Sequence, residues 1–360
     1  MDKESVVSKI ESQFRKTVNK DKKVKNAYLL VHTGKHGIQL NIAEGSTDGQ
    51  SAHPQQPHYM ASVGKLYTAA VIGILHENGK LSFDDPIANH LDEELMHRLH
   101  VHLEKDYSAE ITVRHLLQQS SGLADVFWLL IKEIMREPRK ITPREAVIWG
   151  KDKLHPKARP GIRHIYTDTN YYLLGLIVEK VTGEPFYWAL HRNIFDPLGM
   201  KHAFMQGYSR PAEASDYPVA RYYLDGVDPT TAEGFFQIDY AGGGVVATSE
   251  EHLTFLRALT GHRILQKETL DRMLEDNLPM GFVHPGFRYG YSIWKIGTVP
   301  LLMPEKFNCW GCVGVIGAYL MYHPGTDTHV VLNFNDISYR GKALRFMLSK
   351  VINPLLKLKS

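Results

Sequence analysis

From about Ser62 to Asn78 the chain is apolar on nearly every face of the helix its composition favours, and the run stops at Gly79. A helix without a polar stripe has no side to turn to water, so it belongs at a domain centre, wrapped on all sides by other elements. That requirement constrains everything else. A chain of 360 residues, 43% apolar and 22% charged, is long enough to supply the wrapping without disulfides or a structural metal. Two cysteines are too few for a disulfide scaffold.

The flanking segments predict what does the wrapping. Val6, Val7, Ile10 and Phe14 recur at helical spacing over residues 4–17. Two strands follow near Ala27–His32 and Ile38–Ala43, joined by a turn at Thr33–Gly37, and then a polar, Pro-containing loop over Ser46–His58. Residues 80–240 read as mostly helical, with helices expected at 112–119, 126–135, 143–150, 170–182 and 185–195. Another is expected at 250–260. Strand alternation returns at Tyr289–Ile296, Val313–Tyr322 and His329–Asn335, and a last helix covers about 340–352. The order is helix, two strands, helical insert, three strands, helix. It predicts an α+β fold in which both chain ends build one antiparallel sheet flanked by the terminal helices. We expect a single domain over 1–360, with an α/β subdomain at 1–60 and 241–360, an all-helical subdomain at 61–240, and a substrate cleft between them.

The start of the apolar helix carries the first chemical signal. In Ser62-Val63-Gly64-Lys65, positions i and i+3 share a helix face, so Lys65 Nζ can reach Ser62 Oγ. Burial of a lysine disfavours its charged form and lets the neutral amine act as a base, while the Ser62 N–H at a helix N-terminus favours a developing oxyanion. The pattern is weak alone. A second match, Ser292-Ile293-Trp294-Lys295, falls in a stretch read as a strand, where i and i+3 face oppositely and cannot cooperate. The second signal is Tyr166-Thr167-Asp168-Thr169-Asn170, just before helix 170–182, where a tyrosine can relay a proton. A helix cap beside a buried tyrosine would leave the same residues.

Taken in order, these segments resemble the serine beta-lactamase and penicillin-binding protein family, in its class C, DD-peptidase and esterase branch. Tyr59-Met60-Ala61-Ser62-Val63-Gly64-Lys65-Leu66-Tyr67-Thr68-Ala69 is similar to that family's nucleophile helix. Ile111–Leu117 with Ser120-Ser121-Gly122-Leu123 resembles its structural signature, and Tyr166–Gly175 its Tyr-x-Asn block. Pro197-Leu198-Gly199-Met200 and Gly242-Gly243-Gly244 fit later positions. The resemblance spans roughly residues 20–350 and implies a beta-lactamase/transpeptidase-like fold. It also implies Ser62 as nucleophile, Lys65 and Tyr166 as proton-transfer partners, and the N–H groups of Ser62 and Val315 as an oxyanion hole. Asp168, Asn170, Cys312 and Gly314 would meet substrate. Two positions depart from the family. Cys312, in Trp310–Tyr319, stands where His or Lys is usual, and Asp168 stands where Asn is usual. His32-Thr33-Gly34, His284-Pro285-Gly286, His323-Pro324-Gly325 and Lys295-Ile296-Gly297 have the wrong setting to replace that motif. Loss of the cation weakens recognition of a substrate carboxylate, and the Asp168 carboxylate either repels one as well or pairs with Lys65.

Composition excludes other classes. Lys+Arg 42 against Asp+Glu 39 leaves +3 with no basic tract, which argues against nucleic-acid partners. No apolar run is long enough to span a membrane. Met1–Lys23 lacks the apolar core of a signal peptide, so the chain is expected in the cytoplasm, unless a leader has been removed. Neither a metal nor an organic cofactor is expected. The 19 histidines include a cluster at His97, His100 and His102 beside Glu104, read as a solvated face, and His115 is read as structural. Cys309 and Cys312 are read as reduced. Aromatic and Met side chains in 126–135 and 280–294 are candidates to line an acyl pocket. The expected activity is acyl transfer from a small ester, an amide or a D-amino-acid peptide to water. The alternatives are a penicillin-binding or sensory relative with little turnover, and a metal-dependent hydrolase. Oligomeric state is left open.

Overall fold

Val6, Ile10, Phe14 and Val18 line one face of the helix Lys3–Lys20 and are all buried, because that face lies against a large sheet. A computed structural model describes residues 2–281, 284–299 and 303–358. The sheet has nine antiparallel strands. From one edge they run Gln50–Ser51, Ile38–Thr47, Asn26–Thr33, Thr328–Asn333, Ala318–His323, Cys309–Gly314, Trp294–Ile296, Phe287–Tyr289 and Leu278–Pro279. The two chain ends meet at its centre, where Leu30 pairs with Val331 on one side and Asn41 on the other.

Strand periodicity divides the interior into two cores. Ala27, Leu29 and Val31 face the outer core under the terminal helices, whereas Leu30 faces the inner core shared with the helical half. The apolar helix sits in that inner core as Gly64–Glu77, and every residue from Gly64 to Gly73 is buried. Helices Thr169–Thr182, Phe186–Leu190, Phe235–Gly243 and Lys267–Glu275 pack against it. Among the described residues no helix is long and apolar enough to cross a membrane.

Three readings of local structure change. The expected helix start at Ser62 is a separate 3-10 turn, Ala61–Val63, entered through Ala61 at φ +49°, a conformation that costs an alanine on the order of 1–2 kcal/mol. The strand expected over Tyr289–Ile296 is a hairpin. Its turn carries Ser292 at φ +62°, and Gly290 N–H donates to the Ile293 carbonyl at 2.8 Å. Val313–Tyr322 is likewise two strands, folded back at Gly317 (φ +74°), with Gly314 opposite Ala318. Alternation continues through tight turns of so few residues, so apolar periodicity alone does not reveal them. Among the described residues the large sheet thus takes six strands after the helical insert where three were expected, the sixth being the unforeseen Leu278–Pro279. Ser292 bonds the Tyr171 hydroxyl and Lys295 pairs with Glu275 at 2.9 Å, so the second Ser-x-x-Lys match is split between unrelated contacts.

Candidate active site

The 3-10 turn and the following helix bring Lys65 Nζ to 3.1 Å from Ser62 Oγ. Lys65 is fully buried, and its Nζ also donates to the Gly242 carbonyl at 2.6 Å and to the Asp168 carboxylate. Three acceptors thus meet the three protons of one ammonium. The buried charge is balanced by Asp168, which is itself largely buried. Asp168 makes no side-chain cap on the helix it precedes; its carboxylate is committed to Lys65.

Tyr166 is held by its loop. Ile165 N–H donates to the Gln119 carbonyl (2.7 Å), Thr167 N–H to Gln119 Oε1 (2.9 Å) and Asp168 N–H to Asp125 Oδ1 (3.0 Å). Gln119 and Asp125, on either side of Ser120-Ser121-Gly122, therefore anchor the loop that carries the tyrosine. Tyr166 and Ser62 line the same cleft. Burial, and after it the Asp168 charge, push the phenol well above its usual pKa and keep it protonated. Lys65 Nζ lies 5.3 Å from the Tyr166 ring centroid. Ser62 thus bonds Lys65 and has Tyr166 beside it in the cleft.

Two expected substrate contacts sit elsewhere. Asn170 is fully buried; it accepts from Ser121 Oγ (2.6 Å) and donates to Gln119 Oε1 (2.7 Å) and the Leu116 carbonyl (3.2 Å). It braces the Tyr166 loop and does not line the cleft, because the helical register at 170 points inward. Cys312 lies beneath the nucleophile instead of at the cleft rim. Its thiol donates to the Ser62 carbonyl at 3.2 Å, and burial pushes its pKa up to about 12. Gly314 and Val315, at the end of that strand, do line the cleft beside Ser62. A Cβ at Gly314 would come within 2.2 Å of the Met60 carbonyl oxygen, so glycine lets the strand end rest on the nucleophile turn.

The cleft encloses about 330 Å³. Its apolar wall comes from Phe127, Trp128, Met280 and Trp294, within the two stretches marked in the sequence; Phe282 and Val283 lie outside the described residues. Asp125, His164 and Arg340 also line it and were missed, since none belongs to a motif. His284, set aside as a turn residue, lines it too. Burial brings the His164 pKa down to about 4.

Burial, reinforced by the neighbouring Asp168 charge, lifts Asp125 to about 6. Its pKa in the unfolded chain is about 3.9. The folded state therefore holds this proton up to higher pH, and the stability it confers is present below about pH 4 and lost as pH rises through about 6. Asp125→Asn is expected to gain stability relative to the parent over that interval, by on the order of a few kcal/mol. Urea midpoints of both proteins from pH 4 to 8 check this; a constant gap contradicts it.

The histidine cluster is tied into loops: His100 Nε2 meets the Ala158 carbonyl at 2.9 Å and His102 Nδ1 the Pro156 carbonyl at 3.1 Å. His115 closes a reciprocal cap with Thr112. Among the described residues no group of three or more His, Cys, Asp or Glu stands together as a metal site. Cys309 and Cys312 are free and belong to opposite cores.

The Beta-lactamase family model matches residues 17–346. The chain is 27% identical over 336 residues to a Bacillus subtilis (strain 168) protein named as a penicillin-binding protein, PbpX, covering 85% of this chain and 79% of that one. Protein flp of Staphylococcus aureus (strain MW2) is 27% identical over 232 residues, 62% of this chain and 43% of its own length. Among solved structures, D-amino acid amidase from Ochrobactrum anthropi SV3, complexed with D-phenylalanine, superposes with a TM-score of 0.79 at 21% identity, over 98% of this chain and 99% of that one. It shares the fold.

Proposed function

The chain belongs to the beta-lactamase family, and from that premise we propose that it is a serine hydrolase working through an acyl-enzyme on Ser62. One observation carries the reading: Ser62 lines the cleft with its Oγ 3.1 Å from Lys65 Nζ, and Tyr166 lines the same cleft. Lys65 can pass a proton to the Asp168 carboxylate it already touches, which frees a lone pair on Nζ. The Ser62 proton then moves to that lone pair, directly or through Tyr166, as Oγ bonds the substrate carbonyl carbon. The N–H groups of Ser62 and Val315 hold the carbonyl oxygen as it gains charge. The same proton passes to the leaving alkoxide or amine as its bond to the carbonyl carbon breaks. Water attacks the resulting ester in the reverse sense, giving up a proton by the same route, and releases the acid.

The substrate class we infer is a small ester or a D-amino-acid amide or peptide. The solved relative that acts on D-amino acid amides supports it. The two departures from the family pattern, Cys312 and Asp168, motivate a second reading, a penicillin-binding or sensory relative that keeps the fold with little or no turnover. Intact-mass spectrometry after mixing with an activated ester, and separately with penicillin, separates the two. We expect a transient adduct on Ser62 from the ester that decays within the turnover time. A permanent adduct with penicillin and none from the ester supports the second reading; no adduct from either sinks the first.

A further inference from the structure

Adjoining the main cleft at Ser62 lies a recess of about 30 Å³, enough to seat one small group. Ser62, Asp168 and Val315 line both spaces, so the recess opens beside the nucleophile and the oxyanion position. Its walls are aromatic. The rings of Tyr59 and Tyr222 stack at 4.9 Å and 8°, with Phe235 and Trp128 beside them.

The polar groups in those walls lack partners. Asp239 is buried, 6% exposed, and among the described residues no hydrogen bond or ion pair reaches its carboxylate; burial alone pushes its pKa up to about 7. The carboxylate occupies the space left by a missing side chain, since a Cβ on Gly243 would stand 2.6 Å from Oδ1. The hydroxyls of Tyr59 and Tyr222 are also buried without a partner. The other carboxylate at the recess, Asp168, is already neutralised by Lys65. A buried, unpaired carboxylate at the wall of an aromatic recess, with room for one small group, matches an ammonium, held by charge and by the ring faces.

We propose that this recess receives the protonated primary amine of the substrate's acyl part, so that the enzyme acts on esters or amides of amino acids with a free amine. The proposal rests on the acyl-enzyme reading above. With the carbonyl oxygen between the Ser62 and Val315 amides, an amine one carbon away is within reach of the recess, while the acyl side chain projects into the main cleft. An unpartnered buried carboxylate destabilises the fold that carries it. Its presence beside the nucleophile is accounted for by a ligand that pairs with it.

The test compares methyl esters of alanine, in both enantiomers, with their N-acetyl counterparts, at about pH 7 where an α-amine is still protonated. The parent enzyme is expected to prefer one free-amine enantiomer over its N-acetyl form by about tenfold or more in kcat/KM. In Asp239→Asn that preference falls to near one, and the variant melts at higher temperature than the parent at pH 8. A parent ratio near one for both enantiomers overturns the proposal. So does an unchanged ratio in Asp239→Asn, or a lower melting temperature, which marks Asp239 as structural. Failure of the underlying reading looks different: turnover of p-nitrophenyl acetate that survives Ser62→Ala, which removes the basis of this proposal too.

Discussion

Ser62→Ala is expected to lower kcat for p-nitrophenyl acetate by about 10³-fold or more, while the protein keeps its fold. The hydroxyl bonds Lys65 and shares the cleft with Tyr166, and neither partner can replace it as nucleophile: the ammonium is committed to Asp168 and Gly242, and the phenol is held protonated. The fold tolerates the change because Ser62 is only part-buried and the turn Ala61–Val63 is held by its backbone, with Val63 N–H on the Met60 carbonyl at 3.2 Å. Initial rates with matched circular-dichroism melts check both halves. A rate within a few-fold of the parent would place the nucleophile elsewhere and remove the proposed mechanism.

Asp168→Ala is expected to cost about 3–5 kcal/mol of stability, because it strands a fully buried ammonium with only neutral acceptors. Asp168→Asn keeps the shape and one acceptor and is expected to cost less. Urea unfolding of the three proteins at pH 7 measures the difference. A loss below about 1 kcal/mol for the alanine variant would mean that Lys65 does not depend on Asp168 for its charge balance. Both variants also bear on activity, since the proposed route moves a proton from Nζ to this carboxylate.

The local pattern reveals much of the frame. The buried face of Lys3–Lys20, the fully packed helix after Ser62, and the pairing of early with late strands all follow from apolar spacing. The Ser-x-x-Lys contact follows as well, since a 3-10 or α turn brings i to i+3 in either form. Tyr166 was legible only through its place ahead of an apolar helix. Asp125, Arg340 and Asp239 were not legible at all: each is a single polar residue whose meaning depends on what stands across a cavity from it. Asn170 and Cys312 were read as facing substrate because motif position carries no information about burial. Only the packing of the helix Thr169–Thr182 and the strand Cys309–Gly314 turns both side chains inward.

By itself, then, the sequence determined the α+β division, the two-ended sheet, the central helix and the Ser62–Lys65 pair, because each is written in spacing within a few residues or in the order of segments. The tertiary structure alone decided between the two roles open to Asp168, setting it against Lys65, and placed Cys312 under the nucleophile and Asp239 unpaired at the adjoining recess. Charge balance and desolvation act between residues brought together from distant parts of the chain, and no local pattern records which of them will meet.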